Sequence, residues 1–225
     1  MPATPYALLV FDLDGTLVDS RRDLADSANA LLAEHGAMPL PVDAVARMVG
    51  EGARVLIERA FAAAGLGAPP STALPRFLEL YDERLDVHTR PYHGVGAMLE
   101  AVAARCAIAL LTNKPQRPTE SLIARLGLDA VPWQHVIGGD AAFARKPDPA
   151  GLRWLVQEAG ATPATTLMVG DSRIDLEVAR HAGTGLCLAR YGFGFPQIDV
   201  ALIQHDDHVV DRSAQIADLV HGQSR

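Results

Sequence analysis

Short, unbroken apolar runs recur along the chain at 6–11, 107–112, 135–137, 166–169, 185–189 and, more weakly, 208–210. They are rich in Leu, Val and Ile and lack polar alternation, which fits strands buried on both faces of a parallel sheet. Between them, apolar positions fall at helical spacing over 94–105, 117–126, 150–159 and 174–182. Gly127, Gly160 and Gly183 follow such stretches as helix stop signals. Strand alternating with helix predicts an α/β fold with a doubly wound, Rossmann-like parallel sheet.

The rhythm breaks once. Between Thr16 and Tyr92 no run reads as a strand. Instead, helical patterns at 20–35, 53–64 and 72–86 are separated by Gly- and Pro-bearing segments at 36–41, 65–70 and around Pro91. A gap of about 75 residues is far beyond the roughly 2–6 of a βα connection. The expected organisation is a core domain built from 1–17 and 91–225, with an inserted α-helical cap subdomain at 18–90.

Ligands of open α/β sheets sit beyond the carboxyl ends of the strands. The first run ends in Asp12-Leu13-Asp14-Gly15-Thr16 and the second in Thr112-Asn113-Lys114. Arg145-Lys146-Pro147-Asp148-Pro149 follows the third, and the fourth ends in Gly170-Asp171-Ser172-Arg173-Ile174-Asp175. Each alone could be a turn or helix cap, but capping does not explain all four on one rim. Asp12 and Asp14 are two residues apart, so in extended backbone they would share a face. Like charges that close raise one pKa unless a cation lies between them. A hard dication with oxygen ligands, Mg²⁺ first, would relieve the pair.

Composition removes several alternatives. A net charge of −7 disfavours a nucleic-acid partner. No apolar run approaches the ~20 residues that span a bilayer, and no basic-then-apolar leader opens the chain. Cys106 and Cys187 have no CxxC spacing and read as reduced core residues, which suggests a cytoplasmic setting. Of 20 basic residues only Lys114 and Lys146 are lysine, and both sit in strand-end motifs. A compact ammonium acts as a point charge against phosphate or carboxylate, where arginine would offer a planar fork.

The segments FDLDGTLVDSRRDL, VGEGARVLIERA, LLTNKP, VIGGD, KPDP and VGDSRIDLEVARHAG, in this order, resemble the haloacid dehalogenase-like (HAD) superfamily. Among its members the chain is most similar to phosphatases with a helical cap after the first strand, of the phosphoglycolate phosphatase subgroup. The resemblance implies that the Asp12 carboxylate, the Asp14 backbone carbonyl and Asp171 hold Mg²⁺. Gly15, Thr16, Gly170, Ser172 and Asp175 would support that shell. It also implies that Asp12 attacks phosphorus to form an aspartyl-phosphate, with Asp14 as general acid and then base. Thr112 and Asn113 would bind the phosphoryl oxygens, and Lys146 would offset the charge of Asp12 and phosphate.

Some residues carry plainer readings beside these. Asp171 and Ser172 could cap the helix at 174–182, and Asp175 could be a first-turn carboxylate favoured by the helix dipole. His205-Asp206-Asp207-His208 reads as a solvated loop, Tyr191–Gly194 as a flexible turn, and Trp133 and Trp154 as packing residues. Gly50-Glu51-Gly52 suits a cap turn near the substrate, with Arg54 as a candidate grip on an anionic group, and Lys114 would neutralise substrate charge. The expected activity is Mg²⁺-dependent hydrolysis of a small phosphorylated metabolite, 2-phosphoglycolate first. Sugar or amino-sugar phosphates and pyrophosphate follow, and a phosphomutase comes after them. No nucleic-acid or membrane partner is expected, and the protein would be a monomer or homodimer.

Overall fold

The computed structural model describes residues 6–221, so the outermost positions of the two expected core segments, 1–5 and 222–225, lie outside it. Six parallel strands form one sheet in the order β5-β4-β1-β6-β7-β8. They are β1 (Leu8–Phe11), β4 (Ala107–Leu111), β5 (Trp133–Ile137), β6 (Thr166–Gly170), β7 (Gly185–Ala189) and β8 (His208–Val210). β1 lies at the centre and all four of its residues are fully buried. Its side chains alternate between two cores. Leu9 and Phe11 pack on one face with α5 (Val95–Ala103), α6 (Gln116–Arg125) and α9 (Ala214–His221). Leu8 and Val10 pack on the other with α7 (Ala150–Glu158) and α8 (Arg173–Ala182).

Between β1 and the next long strand, the chain forms α1 (Arg21–Glu34), α2 (Val42–Ala46), α3 (Ala53–Ala63) and α4 (Ala73–Asp82). Their apolar sides, including Leu31, Leu56, Phe61 and Phe77, run without a break into the core under Leu9 and Phe11. Two short strands that the apolar pattern did not indicate flank this helical insertion. β2 (Val18–Asp19) and β3 (Arg90–Pro91) pair antiparallel, Val18 opposite Pro91 and Asp19 opposite Arg90. Asp23 fastens the same seam, because its carboxylate accepts from the backbone N–H of His88 and Thr89 and from the Thr89 hydroxyl at 2.7–3.0 Å. Among the described residues no helix is long and apolar enough to cross a membrane.

The register of the central strands places the site. Phe11 is aligned with Leu110 of β4 on one side and with Val169 of β6 on the other. The residues that follow these three strands therefore emerge at one level of the sheet.

Phe11 is fully buried and meets Trp133 edge to face, with ring centroids 6.2 Å apart. Phe11→Ala is expected to cost about 3–5 kcal/mol through lost burial and the cavity left behind. The shift of the urea unfolding midpoint, at unchanged slope, measures it.

Candidate active site

Lys146 holds the first carboxylate. Its Nζ donates to Asp12 Oδ1 at 2.8 Å and to Asp175 Oδ1 at 2.6 Å, and all three side chains are buried. Among the described residues no donor meets Asp12 Oδ2, and Asp12 lines a cavity at the sheet's carboxyl end. Burial pushes the Asp12 carboxyl up to about 6, with Lys146 pulling it back and Asp175 and Asp14 adding to the rise. Burial works against the Lys146 ammonium, yet Asp12 and Asp175 keep it above its ordinary range.

Asp175 is both a helix cap and part of this network. Ser172 is the N-cap of α8, and Asp175 closes a reciprocal capping box with it. Asp175 Oδ2 accepts from the Ser172 hydroxyl at 2.6 Å and from the N–H groups of Asp171 and Ser172. With Lys146 on Oδ1, both its oxygens are engaged, which suits a residue that orients its neighbours. Gly170 ends β6 directly against this carboxyl group.

Asp171, by contrast, touches no ammonium. Its Oδ2 accepts from Gly194 N–H at 2.7 Å and its Oδ1 from the Thr16 hydroxyl at 3.4 Å. Burial, then Asp175 and Asp12, push its carboxyl well above the usual carboxylate range. Gly15 makes room for it: the backbone there has φ 91°, and a Cβ would lie 2.1 Å from Asp171 Oδ2. Gly192 is as close, a Cβ there falling 2.3 Å from Asp171 Cβ. The segment at 191–194 is thus no free turn, because Tyr191 also donates to the Thr16 carbonyl at 3.0 Å. Two glycines just past the fifth long strand, on the active rim, were the available sign.

Asp12 and Asp14 line the same cavity, though not through strand periodicity. β1 ends at Phe11, and a turn follows, so the two-residue period no longer applies. Asp14 Oδ1 accepts from the Ser20 hydroxyl at 2.6 Å, and Lys114 Nζ lies 3.2 Å from both Asp14 oxygens. Each carboxylate of the DxD pair thus has its own lysine. Lys114 also donates to the Tyr81 hydroxyl from α4. Burial draws the Lys114 ammonium below its ordinary range, against the opposing pull of Asp14. Ser20 and Tyr81 were not singled out in the sequence, since neither contact follows from spacing.

Thr112 lines the cavity beside Asn113, and its Oγ1 accepts from Lys114 N–H. Asn113 spends its amide differently from expectation. Its Nδ2 donates to the carbonyls of Gly50 and Lys146, each at 2.9 Å, while its buried Oδ1 has no partner among the described residues. Gly50, Gly52, Ala53 and Leu56 line the cavity from the insertion. Arg54 does not line it and is exposed on the outer side of α3, so the helix turns the expected anion grip toward solvent. In the 205–208 segment, Asp207 pairs with Arg180 and is nearly buried rather than fully solvated.

The donor set fits a divalent cation. One oxygen each of Asp12, Asp171 and Asp175 lies within 4.8 Å of the other two. Among the described residues, the only cationic side chains that the carboxylates of Asp12, Asp14, Asp171 and Asp175 face are Lys114 and Lys146. Two positive charges are missing, and hard oxygen ligands in a buried pocket are what a small dication requires. A second acidic group, Asp23, Asp26 and His88, does not compare, because donors already fill Asp23.

Without a cation, Asp12 keeps its proton to about pH 6, whereas an unfolded Asp loses it near ~3.9. A raised folded pKa gives stability that is full below the lower value and is lost as pH rises through the higher one. In chelator, Asp12→Asn should therefore gain stability over the wild type between about pH 4 and about pH 7. Urea midpoints of both proteins across that window test it, and a constant difference would contradict the burial argument.

The family model for haloacid dehalogenase-like hydrolases matches residues 9–189. A phosphoglycolate phosphatase of Rhodospirillum rubrum is 44% identical over 82% of this chain and 80% of its own length. One from Pseudomonas putida is 39% identical over 85% of this chain and 72% of its own. A crystal structure described as a predicted phosphoglycolate phosphatase from Haemophilus somnus superposes with a TM-score of 0.86 at 29% identity, covering 96% of this chain and 98% of that one. The extent of the match, on the fold and strand-end residues described above, places the chain in the haloacid dehalogenase-like hydrolase family.

Proposed function

We propose that the protein is a Mg²⁺-dependent phosphatase of small phosphate monoesters, with 2-phosphoglycolate as its substrate and glycolate and phosphate as products. One observation carries the reading: Asp12 has one oxygen fixed by Lys146 while the other, unengaged, belongs to a residue lining the cavity. That is how a carboxylate nucleophile must be held. The substrate follows from the names of the relatives and from the insertion side of the cavity, where Leu24, Val49, Leu56, Phe77 and Leu78 are apolar. A sugar would leave hydroxyls unpaired against that wall.

In this reading, Asp12 Oδ2 attacks phosphorus as the bond to the leaving oxygen breaks. Asp14, oriented by Ser20 and Lys114, gives its proton to that oxygen. The product is glycolate, and phosphorus stays bound to Asp12. Asp14 then takes a proton from the water that attacks the phosphoryl group, releasing phosphate and restoring the Asp12 carboxylate. Lys146 offsets the charge on Asp12 throughout, and the Thr112 hydroxyl meets a phosphoryl oxygen. The residues holding Mg²⁺ would be Asp12 and Asp171 with the Asp14 carbonyl, while Asp175, Thr16 and Gly15 keep Asp171 in place. When bound, the ion supplies the missing positive charge and polarises the phosphoryl group.

The helical insertion between β2 and β3 acts as a cap that excludes water over the cavity. The proposed setting is cytoplasmic, supported by the free thiols of Cys106 and Cys187.

Phosphate release from 2-phosphoglycolate and from a panel of sugar phosphates, with and without Mg²⁺, tests the reading. Asp12→Asn is expected to abolish turnover, and Asp14→Asn to slow it by ~10²–10⁴-fold. Near-normal turnover in either variant refutes the role given to that residue. Mg²⁺ is further expected to raise the thermal midpoint of the wild type but not of Asp171→Asn.

A further inference from the structure

Two polar side chains interrupt the apolar wall of the cavity where the insertion meets the core. Tyr81 reaches it from α4 and Lys114 from the end of β4, and both are buried. Lys114 Nζ donates to Asp14 and to the Tyr81 hydroxyl. An ammonium has three N–H groups; Lys114 directs two of them at the oxygens of one carboxylate, each at 3.2 Å, and the third at Tyr81. The Tyr81 hydroxyl accepts from Lys114, and among the described residues nothing accepts its own proton. The unspent Tyr81 O–H and the Lys114 ammonium, two of whose N–H groups share a single carboxylate at 3.2 Å, thus stand side by side in residues lining the cavity. The Tyr81 ring is fixed there by stacking on Phe77, with centroids 5.9 Å apart and planes 13° apart.

A pair of adjacent donors, one of them charged, matches the two oxygens of a carboxylate. We propose that Lys114 and Tyr81 form a clamp that selects phosphate esters carrying a carboxylate close to the ester oxygen. Lys114 also sits 3.2 Å from Asp14, the group proposed to protonate that oxygen. A carboxylate on this lysine therefore lies only a carbon or two from the bond that breaks. The clamp thus favours two- or three-carbon phosphorylated acids over longer ones, and it replaces Arg54 as the source of acid selectivity. The proposal rests on the phosphatase reading above and adds to it a pair of specificity-determining residues.

Steady-state kinetics with 2-phosphoglycolate and ethyl phosphate test it, since these differ mainly in the carboxylate. In Tyr81→Phe the ratio of kcat/KM for 2-phosphoglycolate to that for ethyl phosphate is expected to fall by about 10- to 100-fold, the usual scale for one hydrogen bond to a charged group. The loss should appear chiefly in KM for the carboxylated ester, and a merely structural defect would lower both substrates alike. A wild-type preference for 2-phosphoglycolate that survives in Tyr81→Phe overturns the clamp and leaves the phosphatase reading standing. A wild type that turns over both esters equally overturns the clamp together with the choice of substrate. A wild type that releases phosphate from neither refutes the phosphatase reading itself.

Discussion

Buried charge that the protein does not itself balance is the constraint around which this structure is organised. Taking a carboxylate out of water is costly unless a cation or several hydrogen bonds replace the lost solvent. The chain gathers four such groups at the carboxyl end of its sheet and supplies two lysines. The remaining imbalance falls mainly on Asp171, which among the described residues has only a backbone N–H and a hydroxyl to answer it. A cluster of this kind is unfavourable as architecture and useful as a seat for a dication and a phosphoryl group. The cost is the mark of function.

That arrangement depends on the sheet rather than on any one loop. The parallel register brings Phe11, Leu110 and Val169 level, so the residues after β1, β4 and β6 meet without long side chains having to reach for one another. The capping box of α8 then fixes Asp175, and Asp175 fixes Lys146. Glycines at 15 and 192 let the backbone close on Asp171 where any Cβ would collide with it. Stability and chemistry share the same atoms here, because the hydrogen bonds that cap α8 also position the ammonium beside Asp12.

Most of the fold was legible because it is written in local patterns. Unbroken apolar runs marked the six parallel strands to within two residues, and the long gap marked the insertion. β2 and β3 were not legible, since two residues each leave no period and their pairing joins Val18 to Pro91 across the whole insertion. α2, at five residues, is too short for the same reason. α9 did leave a trace, with Ile216 and Val220 one turn apart and buried, but it lies at the chain end beyond the last strand. In the site, residue types and order were readable, whereas partners were not. The period-2 rule placed Asp12 and Asp14 together, and they do line one cavity, but the chain turns after Phe11 and each has a different lysine. Tyr81 falls within a stretch read as helical, but its meeting with Lys114 is a tertiary fact. Arg54 shows the converse error, where a suitable charge near a suggestive loop faced solvent.

The three residues after β4 show how the insertion and the core act as one site. Thr112 presents its side chain to the cavity, Asn113 ties the Gly50 carbonyl of the insertion to the Lys146 carbonyl of the core, and Lys114 ties Tyr81 to Asp14. With both N–H groups of the Asn113 side chain given to backbone carbonyls, that side chain serves the seam. The insertion therefore cannot move away from the core without breaking the bond from Asn113 and releasing Lys114 from Tyr81. Since Lys114 is also the cation beside Asp14, the same displacement alters the surroundings of that carboxylate. The position of the insertion and the orientation of Asp14 are thus linked by two consecutive side chains at the end of one strand.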